Sequence, residues 1–278
     1  MLQGVDVLDK RNSDVQEWAL VLGASSGFGA TVAVELARKG MNIAGVHLDR
    51  RPTMHNVERI IGEIRGLGRE ARFYTVNAAD AVKRKEVLGD LARVFQDASS
   101  PQMLRCVLHS IAFGSLKPFI AERPADAVTQ AQMEMTLDVM ANSLVYWTQD
   151  LYWHKLLSRG TKIFAMTSSG SHRVIPLYGA VSAAKAVLEA HVRQLAVELG
   201  PEGVLVNAIQ AGVTDTPALR KIPGNEALIG FAERSNPGGR PTRPQDIAAT
   251  IAALCSAEVI WVTGDVIRVD GGEDIVAI

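Results

Sequence analysis

The sequence predicts an α/β fold, a single doubly wound parallel sheet with helices on both faces. It would occupy residues 18–278 as one domain behind an N-terminal arm of residues 1–17. Three features of the chain predict it. Short, continuously apolar runs alternate with helical stretches from Trp18 to Val269, the pattern of parallel strands buried on both faces. A glycine-rich turn joins the first run to the first helix. The residues able to do chemistry fall where strands end, which is the ligand edge of such a sheet.

Composition narrows the function classes. With 278 residues, 47% hydrophobic and 21% charged, the chain can bury one large core and needs no second domain. A net charge of −1 provides no basic field for nucleic acid or an anionic membrane surface, so neither is expected as a partner. Two cysteines, Cys106 and Cys255, are too few for a disulfide framework, and Cys106 lies in an apolar run that reads as core. The first seventeen residues are polar without an apolar leader segment. No later stretch reaches the roughly 18 unbroken apolar residues of a membrane span. A cytoplasmic protein is expected.

Trp18–Leu22 (WALVL) reads as the first strand and ends at Gly23. Gly23-Ala-Ser-Ser-Gly27-Phe28-Gly29 follows, then a helix to Lys39 closed by Gly40. Glycines there let the backbone approach a pyrophosphate, the helix N-terminus favours the anion, and Ser25 and Ser26 can donate hydrogen bonds. Packing alone is the other reading of such a turn. The second strand, Asn42–Leu48, leads into Asp49-Arg50-Arg51. An acid at this place takes the ribose hydroxyls of NAD, and an arginine meets the 2′-phosphate of NADP. Both are present, and the acid falls two places later than its expected position at His47. The cluster leans toward NADPH, with NADH as the alternative.

Residues 56–67 read as a helix and 71–76 as the third strand, ending in Asn77-Ala78. Asn77 is either an adenine contact or a turn residue. A helix over 81–98 and a fourth strand over 103–109 lead to Ser110-Ile111-Ala112, whose backbone would face a dinucleotide. His109 has no second ligand at metal spacing, so it reads as a hydrogen-bonded strand-end histidine and no metal is expected. The stretch 126–157 reads as one long helix carrying Met133, Met135, Met140, Trp147 and Trp153 as core or subunit interface. A fifth strand, 162–167, delivers Ser168 to the same edge.

The helix expected over 178–199 carries Tyr178 and Lys185. A spacing of seven puts both side chains on one face, about 10.5 Å apart along the axis. The lysine leans back toward the helix N-terminus, where its ammonium would favour phenolate and lower the tyrosine pKa. A sixth strand, 204–209, is followed by a loop with Gly212, Val213 and Thr216. A Pro- and Gly-punctuated excursion to about Pro244 reads as a substrate-covering loop near 213–240. A helix over 245–255 and a strand over 266–269, ending Asp270-Gly271-Gly272, complete the chain.

In this order the motifs G-x3-G-x-G, Y-x6-K, VNAI and VDGG resemble the short-chain dehydrogenase/reductase superfamily over residues 18–272, on a Rossmann fold. That resemblance implies that Tyr178 donates to the substrate oxygen, Lys185 binds the nicotinamide ribose, and Ser168 orients the substrate. It also implies cofactor contacts at Gly23 through Gly29, Asp49, Arg50, Asn77, Ala78, Ser110 through Ala112, Gly212, Val213 and Thr216. Ordinary ketone or alcohol members carry their serine thirteen residues before the tyrosine, where this chain has Ala165, and Ser168 stands ten before. His109-Ser-Ile-Ala-Phe113 is similar to a stretch of enoyl-acyl-carrier-protein reductases. The run Arg173–Leu219 most resembles their third, dehydrogenase-like class. Met140 stands where the usual proton-relay asparagine is found, with Asn142 two places away.

The resemblance implies reduction of a trans-2-enoyl thioester, carried on acyl carrier protein or coenzyme A, in fatty acid synthesis by a homotetramer. The rival expectation is a carbonyl or alcohol dehydrogenase of 3-ketoacyl or hydroxysteroid type. A cofactor sensor or scaffold on a dead dehydrogenase fold is the third.

Overall fold

The computed structural model describes residues 15–276. Strand β1 (Gln16–Leu22) starts two residues inside the stretch assigned to the arm, and residues 1–14 of that arm lie outside the described residues. Helix α1 (Gly27–Arg38), β2 (Asn42–His47), α2 (Met54–Gly66), β3 (Ala71–Thr75), α3 (Ala81–Asp97) and β4 (Gln102–His109) follow in strict alternation. The seven strands form one sheet of order β3-β2-β1-β4-β5-β6-β7, every pair parallel, with β5 (Lys162–Ser168), β6 (Leu205–Ala211) and β7 (Val266–Val269) on the far side. The order reverses between β1 and β4, and a crevice opens at such a switch point beyond the strand C-termini.

The continuously apolar strands reflect burial on both faces. In β1, Trp18, Leu20 and Leu22 enter one core while Ala19 and Val21 enter the other, as alternating strand side chains must. The first core packs against α3, α5 (Ser143–Trp153) and α6 (Gly179–Leu199) through Leu88, Trp147 and Leu188. The second packs against α1, α2 and α8 (Pro244–Leu254) through Leu36, Ile60 and Ile251. Burying each such side chain contributes about 1.5–3 kcal/mol. Cys106 and Cys255 are both buried in the second core as free thiols.

Two expectations are corrected. The long helix over 126–157 is broken: α4 (Gln130–Leu137), capped by Thr129 and Gln132, passes through a π-helical turn at Asp138–Asn142 into α5. The excursion expected as a loop contains a further helix, α7 (Asn225–Ser235), which starts after Gly224 in the left-handed region at φ 77°. Among the described residues no helix is long and apolar enough to cross a membrane.

Candidate active site

The glycine turn is built so that only glycine fits. Gly23 has φ +92°, and a Cβ on it would lie 2.2 Å from the Ser110 carbonyl oxygen. A Cβ on Gly29 would lie 2.1 Å from the carbonyl oxygen of Gly23. The backbone of the turn therefore touches the chain leaving β4, and the Ser110 N–H donates to the Leu22 carbonyl at 2.9 Å. Ser26, extended ahead of α1, makes no side-chain cap, and no acid occupies the first turn of the helix. The N-terminal N–H groups of α1 thus point out of the turn with no anion of their own, the chemistry that suits a pyrophosphate. Phe28 packs back onto the core below. Thr216 completes the wall: a Cβ on Gly27 would lie 3.7 Å from its side chain.

At the end of β2, Asp49 turns toward this cradle. Burial alone would raise its carboxyl, but hydrogen bonds from Ser25 and Thr53, with His47 3.3 Å away, hold it below its ordinary value. Burial pushes His47 down in turn, so it is neutral and bridges Asp49 and Thr75. His47 thus stands in the place predicted for the acid, and the Asp49 carboxylate, two places later, reaches back to Ser25 of the glycine turn. Arg50 is exposed and forms no ion pair among the described residues.

Asn77 Oδ1 accepts from the Ala79 N–H at 3.0 Å, which braces the turn after β3. The Ala78 carbonyl accepts from Trp147 Nε1 at 2.9 Å, which fixes this part of the edge to α5. Ile111 packs on the core while Phe113 and Phe119 are exposed at the mouth, and a Cβ on Gly179 would lie 2.6 Å from the Phe119 ring.

Tyr178 sits one residue ahead of α6, its carbonyl accepting the Ser182 N–H at 2.8 Å. It follows Leu177, held at φ 64°, a left-handed conformation that costs a non-glycine residue about 1–3 kcal/mol. The ring lies over Gly170, where a Cβ would be 2.6 Å from Tyr178 Cε1 and 3.2 Å from Ser168 Oγ. Ser168 ends β5 beside Ala211 of β6, so the hydroxyl and the phenol share one wall. Burial raises the Tyr178 pKa and the approach of Ser168 lowers it in part. Ser168 Oγ is nonetheless buried without a formed hydrogen bond.

Lys185 departs from its sequence-based expectation. It is 6% exposed, its Nζ donates to the Met166 carbonyl at 2.6 Å, and the phenol pKa, set by burial and Ser168, is raised rather than lowered. Burial brings its pKa down to about 8 against the opposing charge of Glu189. The ammonium faces His109, which burial and that charge lower to about 3 while Nε2 bonds Ser143 Oγ at 2.8 Å. His109 is therefore a neutral, structural histidine. Met140, 2% exposed, lies beside Gly114, and Asn142 Oδ1 is 3.1 Å from His191 Nε2 on α6.

The β6 loop holds Gly212 and Val213 against residues the sequence did not single out. A Cβ on Gly212 would lie 2.4 Å from Thr242 Oγ1, and both Glu273 carboxylate oxygens are 3.1 Å from the Val213 N–H. The cradle, the vacant helix N-terminus, Asp49 and the unpartnered Ser168 hydroxyl together fit a dinucleotide and a substrate oxygen.

Comparison with known proteins gives that geometry its context. The chain is 27% identical to 1-cyclohexenylcarbonyl-CoA reductase of Streptomyces collinus, over 96% of this chain and 90% of that protein. It is 33% identical to the enoyl-[acyl-carrier-protein] reductase [NADH] of Escherichia coli K12, over 61% of this chain and 64% of that one. The structure of the enoyl-[acyl-carrier-protein] reductase (NADH) of Aquifex aeolicus superposes with a TM-score of 0.80 at 25% identity, covering 94% of this chain and 98% of that one. The family profile described as Enoyl-(Acyl carrier protein) reductase matches residues 23–273, which takes in six of the seven strands and the site from the glycine turn to Glu273. With that match spanning every element that lines the cradle and the Tyr178 wall, the chain belongs to the Enoyl-(Acyl carrier protein) reductase family and is a nicotinamide-dependent oxidoreductase of the short-chain dehydrogenase/reductase superfamily.

Proposed function

We propose that the protein reduces the double bond of a trans-2-enoyl thioester, with Tyr178 as the donor to the thioester oxygen. The observations that carry the reading are a half-buried phenol whose pKa burial raises above its ordinary value, and a buried Met140 where the resemblance places the relay asparagine. A neutral phenol donates a hydrogen bond to an oxygen that becomes negative as an enolate forms. An alkoxide from a ketone needs a proton delivered, and a buried methionine delivers none. Bound nicotinamide coenzyme supplies the hydride. Gly23 through Gly29 and the start of α1 would hold its pyrophosphate, Lys185 its ribose beside the nicotinamide, and Ser110–Ala112 and the Gly212–Thr216 loop its remaining edges. Ser168 orients the thioester beside Tyr178.

Asp49 supports NADH as the coenzyme, since an ionised carboxylate at the cradle accepts ribose hydroxyls and repels a 2′-phosphate. The sequence leaned to NADPH through Arg50, which remains the alternative. The relatives in Escherichia coli and Aquifex aeolicus carry NADH in their names, and the Streptomyces relative acts on a CoA thioester by its name. We take the carrier as acyl carrier protein or coenzyme A, with a role in fatty acid synthesis and a cytoplasmic setting. Exposed Tyr152 and Trp153 on α5 and Val197 on α6 support a homotetramer.

The test follows coenzyme absorbance with crotonyl and acetoacetyl thioesters in parallel. Oxidation with crotonyl is the expected result. Oxidation with acetoacetyl alone would make the protein a carbonyl reductase.

A further inference from the structure

The last turn of the described chain ties the two walls of the site together through adjacent carboxylates. Residues Glu273–Ile275 form a short helical turn directly after Gly272. Glu273 is only 4% exposed, yet the one hydrogen bond its carboxylate makes among the described residues is from the Val213 N–H, approached by both oxygens at 3.1 Å. The Val213 carbonyl accepts from the Thr242 N–H at 3.1 Å, so both peptide groups of this loop residue are fixed from outside the loop. Gly212, beside it, has no room for a Cβ because Thr242 Oγ1, Asp270 and Glu273 Oε2 already occupy the space.

Asp274 grips the other wall. It lies 3.0 Å from His172 Nε2 and 2.7 Å from Arg173 Nε, in the turn that follows Ser168. It also accepts from Gln210 Nε2 at 3.0 Å on β6, and Arg268 Nε lies 3.6 Å away. A buried carboxylate is costly unless hydrogen-bonded, so a glutamate kept here for one backbone N–H points to a purpose in that N–H.

We propose that Glu273 is a positioning residue for the coenzyme pocket, holding the Gly212–Thr216 loop against the glycine turn while Asp274 locks the same segment to the turn after Ser168. It rests on the coenzyme reading above. Glu273 faces Asp270 and Asp274, which together with burial raise its pKa, while the Val213 N–H and Arg173 lower it. Protonation removes one of the two acceptors and the charge that strengthens the bond. The loop therefore loosens, and coenzyme affinity weakens, as pH falls through a value above the ordinary glutamate range.

The experiment titrates NADH against the full chain by fluorescence, from acid to neutral pH, for wild type, Glu273→Ala and Glu273→Gln, with circular dichroism melting as the check of fold. The alanine variant is expected to raise Kd tenfold or more. The glutamine variant, which keeps the shape but cannot titrate, is expected to raise Kd severalfold and to lose the acid-side weakening seen in wild type. Should the alanine variant fail to fold, the glutamine profile decides alone. Affinities within twofold of wild type, or superimposable pH profiles for wild type and Glu273→Gln, would overturn the proposal. A wild type that binds neither NADH nor NADPH would overturn the coenzyme reading itself, and this proposal with it.

Discussion

Lys185 Nζ donates to the main-chain oxygen of Met166 at 2.6 Å, stitching α6 to β5 two residues before Ser168. The bond crosses between elements, so the lysine fixes the distance between the helix behind Tyr178 and the strand that presents Ser168. The pKa of the phenol itself is set by burial, which raises it, and by Ser168, which lowers it in part.

The titration of Lys185 gives a signed prediction. Burial lowers its pKa to about 8, so the ammonium is present below that pH and is lost as pH rises through it. If the charge holds the nicotinamide ribose, NADH affinity measured from pH 6.5 to 9.5 falls on the alkaline side. Lys185→Met is expected to weaken binding about tenfold at pH 7, an effect of about 1.4 kcal/mol, and to flatten the profile. Stability runs the other way. A lysine whose folded pKa lies below its unfolded 10.5 opposes folding while it is charged, and the penalty fades as pH rises through about 8. The melting temperature of Lys185→Met at pH 7 is therefore expected to equal or exceed that of wild type. A clear fall would mean the Met166 bond outweighs the desolvation of the charge.

Tyr178→Phe separates chemistry from binding. The ring still packs over Gly170, while the donor to the developing oxyanion is gone. Loss of one such donor costs about 10²–10³ in kcat, and NADH affinity is expected to stay within about twofold because no cradle contact is touched. Because burial holds the phenol protonated, the alkaline limb of wild-type kcat is not expected to begin at neutral pH. Turnover surviving in the phenylalanine variant would mean another group carries the oxygen.

What was legible in the sequence follows from what is local. Trp18–Leu22 and Lys162–Thr167 read as strands because both faces are buried and every residue is apolar or packed, and the glycine turn was legible as a tight strand-to-helix turn because its three glycines fall within seven residues, whereas the Ser110 carbonyl that leaves Gly23 no room for a Cβ lies 87 positions on. Helix α7 was not legible, since Pro223-Gly224 and Pro237-Gly238-Gly239 punctuate both its ends and the helix between them is only eleven residues long. The π-helical turn within 138–142 leaves the apolar composition unchanged, so a helical period runs through it unseen. Tyr178 and Lys185 share a helix face in the sequence, but the acceptor of the ammonium is a backbone oxygen on another element. Glu273 was missed for the same reason, because its partner lies 60 positions back along the chain.

The buried ion pair between α3 and α5 is a stability test away from the site. Arg84 Nε lies 2.6 Å from Asp150 Oδ2, both side chains are less than a tenth exposed, and the guanidinium carbon stands 5.5 Å from the Tyr146 ring centroid. Arg84 Nη1 already lacks a partner. Asp150→Ala would strand the cation in the core at a cost of about 3–5 kcal/mol, lowering the melting temperature by roughly 6–20 °C for a chain of this size. Arg84→Met combined with Asp150→Leu is expected to recover most of that loss, since no charge is left unpaired. A double variant as unstable as the single one would show that the pair's worth is its geometry rather than its compensation.

Asp49 is expected to decide between the coenzymes. Its carboxylate, ionised and turned onto Ser25 in the glycine turn, is aimed where an adenosine ribose would lie against the cradle, and a 2′-phosphate there would meet a like charge at short range. Asp49→Ser keeps a hydrogen-bonding group and removes the charge, leaving Arg50 and Arg51 as the cations of the edge. The ratio of kcat/KM for NADPH over NADH is expected to rise at least tenfold, about 1.4 kcal/mol of differential binding, mostly through a higher KM for NADH and a lower one for NADPH. The His47 tether should respond as well, because its pKa is raised by Asp49 against burial; in the serine variant it is expected to fall further, measurable by proton NMR. A wild type that already prefers NADPH, with a ratio unmoved by the substitution, would mean that Arg50 reads the coenzyme and that Asp49 serves only to brace the turn between Ser25 and Thr53.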